Sequence, residues 1–182
     1  MKSIIFFLIS SFSLALNLNA QENIGDTENV EVIKNFKNLF RYQIFYISGQ
    51  PTLEALQWLK YQGVIKIINL RSEKENIEYS EYAYDEKTIA QKSGFEYYSI
   101  SVDGSKDYTP EKLEAFSSLI KNDEKILIHC LSATRATNFF MAYLIKYKGY
   151  TINKAVKIGR SINFQFPLEK LLGTEVSMGL IQ

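Results

Sequence analysis

The chain has 182 residues, 46% of them hydrophobic and 23% charged, and a net charge of +1. These proportions are those of one compact globular domain and exclude a disordered or fibrous protein. Lys and Arg are scattered among Asp and Glu without a basic stripe, so no nucleic acid is expected as a partner.

Residues 1–20 differ in kind from the rest. Met1-Lys2 is a short positive start, Ile4 to Leu16 is an apolar run broken only by serines, and Asn17-Leu18-Asn19-Ala20 supplies a cleavage site. This is the pattern of a secretory signal peptide cut after Ala20. The run is shorter than the roughly 20 apolar residues a spanning helix needs, and no later segment is longer, so no membrane span is expected after cleavage. The expected location is periplasmic or extracellular. Export makes the cysteine count informative, because Cys130 is alone and has no intramolecular disulfide partner. A buried small hydrophobe and an intermolecular disulfide are the plain alternatives for it.

Residues 21–40 read as a lead-in, polar and acid-rich up to Phe36, and 41–182 as the folded domain. Phe45-Tyr46-Ile47 predicts a strand. Ser48-Gly49-Gln50-Pro51-Thr52 is a turn, with Thr52 capping a helix from Leu53 to about Gln62. Gly63 ends that helix, and Val64 to Leu70 is a β-branched run of buried-strand length. Arg71 to Glu75 reads as a polar loop, and a helix is expected within Ser80 to Lys92. Phe95 to Val102 alternates as a strand, Asp103 to Asp107 is a loop, and Thr109-Pro110 opens a helix to about Lys121. Lys125 to Ile128 is the last clear strand. Thr134 to Tyr147 is a buried helix stopped by Gly149, and Thr151 to about Ile158 is a further helix. Strands alternating with helices predict an α/β fold, a mostly parallel sheet of about four or five strands flanked by helices.

In such a fold ligands bind outside the carboxyl ends of the strands. Cys130 lies at one of these ends, and the backbone N–H groups from Leu131 to Arg135, through Ser132, Ala133 and Thr134, converge near the start of the next helix. That point favours an anion. The same field lowers a thiol pKa, which makes Cys130 a candidate thiolate nucleophile, and Arg135 offers a planar fork for two phosphate or sulfate oxygens. Arg71 ends a parallel strand and is a candidate for the same pocket; a solvated loop arginine is the alternative, and Arg160 has the same ambiguity.

His129-Cys130, four residues and then Arg135, at a strand-to-helix turn, resembles the active-site loop of cysteine-dependent phosphatases. The closest resemblance is to the bacterial beta-lactamase-hydrolase-like or dual-specificity-like branch. Ser48 to Thr52, Ile67-Ile68-Asn69-Leu70-Arg71, Val102-Asp103-Gly104 and Thr109-Pro110-Glu111 match in order, so the likeness spans roughly Tyr46 to Ile162. The resemblance implies that Cys130 takes the phosphoryl group, that Arg135 and the loop amides hold its oxygens, and that His129 supports the loop by hydrogen bonding. It makes Asp103 the general acid, with Asp107 as the substitute; an ordinary Asp-Gly turn is the alternative reading of Asp103. The common loop has five residues between Cys and Arg and a glycine near its middle; this one has four, and Ala133 stands where the bacterial branch often has glycine. Ala136 stands where a Ser or Thr usually assists turnover, leaving Thr137 or Thr134 for that part.

Three functions follow. The first is an exported hydrolase of phosphomonoesters, acting on a phosphorylated protein or a small phosphate ester through a phosphocysteine. The second is a rhodanese-like sulfurtransferase with a persulfide on Cys130, since that class also uses a six-residue cysteine loop. The third is a catalytically weak anion-binding module. No dinucleotide turn is present, and one His with one Cys makes no zinc cluster, so neither cofactor nor metal is expected.

Overall fold

Successive strand residues serve two separate apolar layers. On the strand Ile126–His129, Ile126 and Ile128 enter one layer and Leu127 the other; on Lys66–Asn69, Ile68 and Ile67 divide in the same way. On Phe45–Ser48, Phe45 and Ile47 oppose Tyr46. Strands apolar on both faces need helices on both sides, which is the condition for a buried parallel sheet.

The computed structural model describes residues 29–165 and 168–174. The strands are β1 (Glu31–Val32), β2 (Leu39–Tyr42), β3 (Phe45–Ser48), β4 (Lys66–Asn69), β5 (Glu96–Ser99) and β6 (Ile126–His129), in the sheet order β1-β2-β3-β6-β4-β5. β3, β6, β4 and β5 run parallel, and β1 and β2 add on antiparallel. The fold is therefore the α/β fold with a mostly parallel sheet expected, with six strands instead of four or five. The extra pair comes from the lead-in, whose Ile33 and Leu39 are buried in the second layer. The domain boundary expected at residue 41 thus falls inside β2.

Helices α1 (Leu53–Tyr61) and, further on, α3 (Glu86–Lys92) cover one face through Leu56, Leu59 and Ala90. Helices α4 (Pro110–Ser118), α5 (Thr134–Lys148), α6 (Ile152–Arg160) and the short α7 (Glu169–Leu172) cover the other. α5 is buried continuously from Ala136 to Leu144 and ends at Gly149, whose φ of 69° is the left-handed cap a glycine adopts freely.

The segment expected as a polar loop at Arg71 to Glu75 instead starts α2 (Glu73–Tyr82). Ser72 accepts from the Glu75 amide while the Glu75 carboxylate accepts from the Ser72 amide, a reciprocal capping box. The single helix expected over Ser80 to Lys92 is broken at Ala83, because Asp85 accepts from the Thr88 amide at 3.1 Å and begins α3 anew. The signal peptide expected at residues 1–20 lies outside the described residues. Among those described, no helix is long and apolar enough to cross a membrane.

The α5–α6 contact sets a sharp packing limit. A Cβ on Gly159 would overlap Met141 Sδ, and Met141 is fully buried, so Gly159→Ala is expected to destabilise the fold by about 1–3 kcal/mol. Thermal unfolding of the variant at its wild-type melting temperature would show this contact to be slack.

Candidate active site

The site is built where three parallel strands end side by side. β6 lies between β3 and β4, so the residues after Ser48, Asn69 and His129 emerge together. Cys130, directly after β6, is fully buried, and its amide donates to Ser48 O at 3.3 Å.

The loop from Leu131 to Thr134 has its carbonyls fastened from outside. Leu131 O accepts from the Gln50 amide at 3.0 Å, and Ser132 O from Asn163 Nδ2 at 2.7 Å. Ala133 O accepts from both the amide and the hydroxyl of Thr137 at 2.8 Å. In a planar trans peptide the next N–H points away from its carbonyl, so these bonds turn the amides of Ser132 and Thr134 the opposite way. Among the described residues, the amides of Leu131, Ser132, Thr134 and Arg135 donate to no protein acceptor. Unpaired amides at a helix start form an anion-binding concavity.

Two local conformations make the turn possible. Ala133 has a φ of 73°, a left-handed position that costs an L-residue roughly 1–2 kcal/mol. At Gly49 a Cβ would sit 3.0 Å from Leu131 O, so the Ser48 to Thr52 turn approaches the loop as closely as a glycine permits.

Arg135 is held by one edge. Its Nη1 donates to Glu75 Oε2 at 2.7 Å and to Val102 O at 2.6 Å, and Nη2 donates to Glu75 Oε1 at 2.7 Å. A guanidinium has five N–H donors, so the Nε edge keeps two for a ligand. Burial works against the Arg135 charge, but Glu75 and the Cys130 sulfur more than offset it and raise its pKa further. Glu75 is therefore a positioning residue, joining the helix cap to the clamp. The Ser72-x-x-Glu75 capping box, in a stretch expected to be a polar loop, starts the helix and carries no local sign of this second contact.

A cleft of about 480 Å³ opens over the loop, lined by Glu75, Asp103, Tyr108, Ser132, Thr134 and Arg135 among others. Asp103 lines it and Asp107 does not. Asp107 is also held below its ordinary carboxyl pKa, first by the Asp103 amide and then by Lys112, which makes it a poor proton donor. Asp103 is exposed and pairs with Lys106.

Not every expected residue reaches the cleft. Arg71, a candidate for substrate binding, is 2% exposed and does not line it; its Nη2 donates to Glu86 Oε2 at 2.8 Å beneath the loop. Thr137 is buried with its hydroxyl spent on Ala133 O, so Thr134 is the hydroxyl left at the cleft. Arg160 is exposed at the end of α6 and is not among the cleft residues. His129 is buried, 2.7 Å from Glu86 Oε1. Sequence reasoning missed Glu75, Glu86, Asn138 and Asn163. Of these, Asn138 is a polar residue in the apolar run of α5, where its Nδ2 donates to the Tyr108 hydroxyl at 3.1 Å.

The Glu75–Arg135 pair has a pH signature. Burial would raise the Glu75 carboxyl, but Arg135 first and then the Ser72 amide hold it below its ordinary 4.5. A depressed folded-state pKa gives stability that is complete above 4.5 and is lost as pH falls below it. Thermal stability is therefore expected to fall more steeply on acidification in the wild type than in Glu75→Gln; parallel curves would remove the pair from the account.

No protein of curated function matches the sequence. Solved structures do match. One is a DUF442 protein from Shewanella putrefaciens CN-32 assigned as a phosphatase, 26% identical over 71% of this chain and 83% of its own, with a TM-score of 0.54. TpbA of P. aeruginosa, with a cysteine-to-serine substitution and bound phosphotyrosine, is 13% identical over 75% and 80% of the two chains, at 0.57. PTPMT1 bound to PI(5)P is 18% identical over 71% and 88%, at 0.58; these last two share the fold. A family model matches residues 20–164, and the chain accordingly belongs to the cysteine phosphatases that the model describes as "DSP-PTPase phosphatase fused to NAD+ Kinase".

Proposed function

We propose that this protein is an exported phosphatase that hydrolyses phosphomonoesters through a phosphocysteine on Cys130. The observation that carries the reading is the row of unpaired loop amides beside the free edge of Arg135, a cradle suited to the oxygens of a phosphoryl group. Cys130, as thiolate, attacks phosphorus and the P–O bond to the leaving group breaks. Asp103 gives the departing oxygen its proton. Water then cleaves the S–P bond, its proton returning to Asp103, and releases inorganic phosphate. TpbA with phosphotyrosine and PTPMT1 with PI(5)P show this fold on phosphate esters. The substrate class proposed here is a phosphorylated protein or a small phosphate ester. Export rests on the leader pattern of residues 1–20 and on the family match beginning at residue 20.

A second reading, an anion-binding module of weak turnover, draws on Ala136 and on the Thr137 hydroxyl turned into the loop's own support. Burst kinetics separate the two. An aryl phosphate is expected to give phosphate release abolished by Cys130→Ser, and Asp103→Asn is expected to lower kcat by about 10²–10⁴-fold, with Asp107→Asn far milder. Phosphate release absent from the wild type, alongside phosphate-dependent thermal stabilisation, would select the binding module. Sulfur transfer from thiosulfate, with added mass on Cys130, would select the persulfide carrier.

A further inference from the structure

Beneath the loop lies a charged cluster that the proposed reaction does not use. Glu86, in the first turn of α3, is 3% exposed. Its Oε2 accepts from Gln50 Nε2 at 2.7 Å and from Arg71 Nη2 at 2.8 Å. Its Oε1 lies 2.7 Å from His129 Nε2, a close polar contact without hydrogen-bond alignment. Burial opposes the Glu86 charge, but His129 first, and Arg71 and Gln50 with it, hold the carboxyl below its ordinary pKa.

The three partners come from three chain segments, following β3, following β4 and ending β6, the strands that converge at the site. One of them, His129, directly precedes Cys130. Another, Gln50, uses its own amide to hold Leu131 O at 3.0 Å. A single carboxylate therefore governs the residue before the nucleophile and the first anchored carbonyl after it. A glutamine would offer one acceptor oxygen where the carboxylate offers two.

Fold stability alone gives no reason for this arrangement. Buried ion pairs are often matched or bettered by apolar packing, and this cluster is incompletely satisfied. Arg71 Nη1, Gln50 Oε1 and His129 Nδ1 are buried without a hydrogen-bond partner among the described residues. Such residual cost is what a site retained for geometry carries. We infer that Glu86 is the positioning residue of the catalytic loop, setting Cys130 and the loop amides in register through His129 and Gln50. The inference rests on the phosphatase reading for its activity readout and on anion binding for its independent one.

The test compares wild type, Glu86→Gln and the charge-balanced Arg71→Met/Glu86→Gln, each checked for a cooperative thermal transition. With an aryl phosphate, kcat per folded protein is expected to fall on the order of 10²-fold in both variants, as for a displaced catalytic group. Stabilisation by inorganic phosphate is expected to shrink in parallel. A purely structural Glu86 would lower the melting temperature and leave kcat of the folded fraction unchanged, which overturns the inference. If the wild type does not turn over aryl phosphate, the phosphatase reading fails, and Glu86 is judged by the phosphate shift alone: lost in the variants it stands, retained it falls. If neither variant folds, Gln50→Met, which removes one neutral donor, decides in the same way.

Discussion

The site depends on one constraint, that the loop carbonyls after Cys130 are fastened outward. Gln50, Asn163 and Thr137 each take one carbonyl, from Leu131, Ser132 and Ala133 respectively. Left unanchored, a six-residue turn would satisfy its amides on its own or neighbouring carbonyls, since buried backbone groups rarely stay unpaired. With these carbonyls turned outward and engaged, the amides are left to water or a ligand. The left-handed Ala133 and the close approach at Gly49 follow from the same demand.

Charge is arranged in two tiers around that loop. Glu75 sits at the cleft and orients Arg135, while Glu86 sits below and gathers Arg71, Gln50 and His129. Each carboxylate pairs an arginine, yet only the upper arginine lines the cleft. The lower pair is shut from solvent, so it works on the shape of the loop and not on a ligand. This division explains why two arginines that each follow a strand end in sequence have different surroundings.

Local sequence carried the strand-loop-helix unit, because the β-branched run, Cys130, Arg135 and the Gly149 cap all act within a few residues of where they stand. The clamp and nest were legible for the same reason. Pairing across the sheet was less so: β1 has two residues, and nothing in Glu31–Val32 alone announces a strand until Arg41 and Phe40 are brought opposite. Arg71 was misplaced because its fate is decided by Glu86, whose position depends on the Asp85 cap restarting a helix. Asn163 lies after α6 in a turn with no local signature, and only the packing of α6 on α5 brings it to Ser132.

Beyond the local Thr137 anchor the contacts are remote in sequence, 31 residues apart for Asn163 with Ser132 and 60 for the Arg135 clamp with Glu75. Closing such contacts carries a chain-entropy cost that is met only when the intervening elements have already docked. The cradle is thus among the last features to form and among the first to loosen. An excised segment spanning Ile126 to Lys148 would hold the nucleophile and clamp but no nest. Loss of anion binding would then precede global unfolding, with the site reporting on the integrity of the whole sheet.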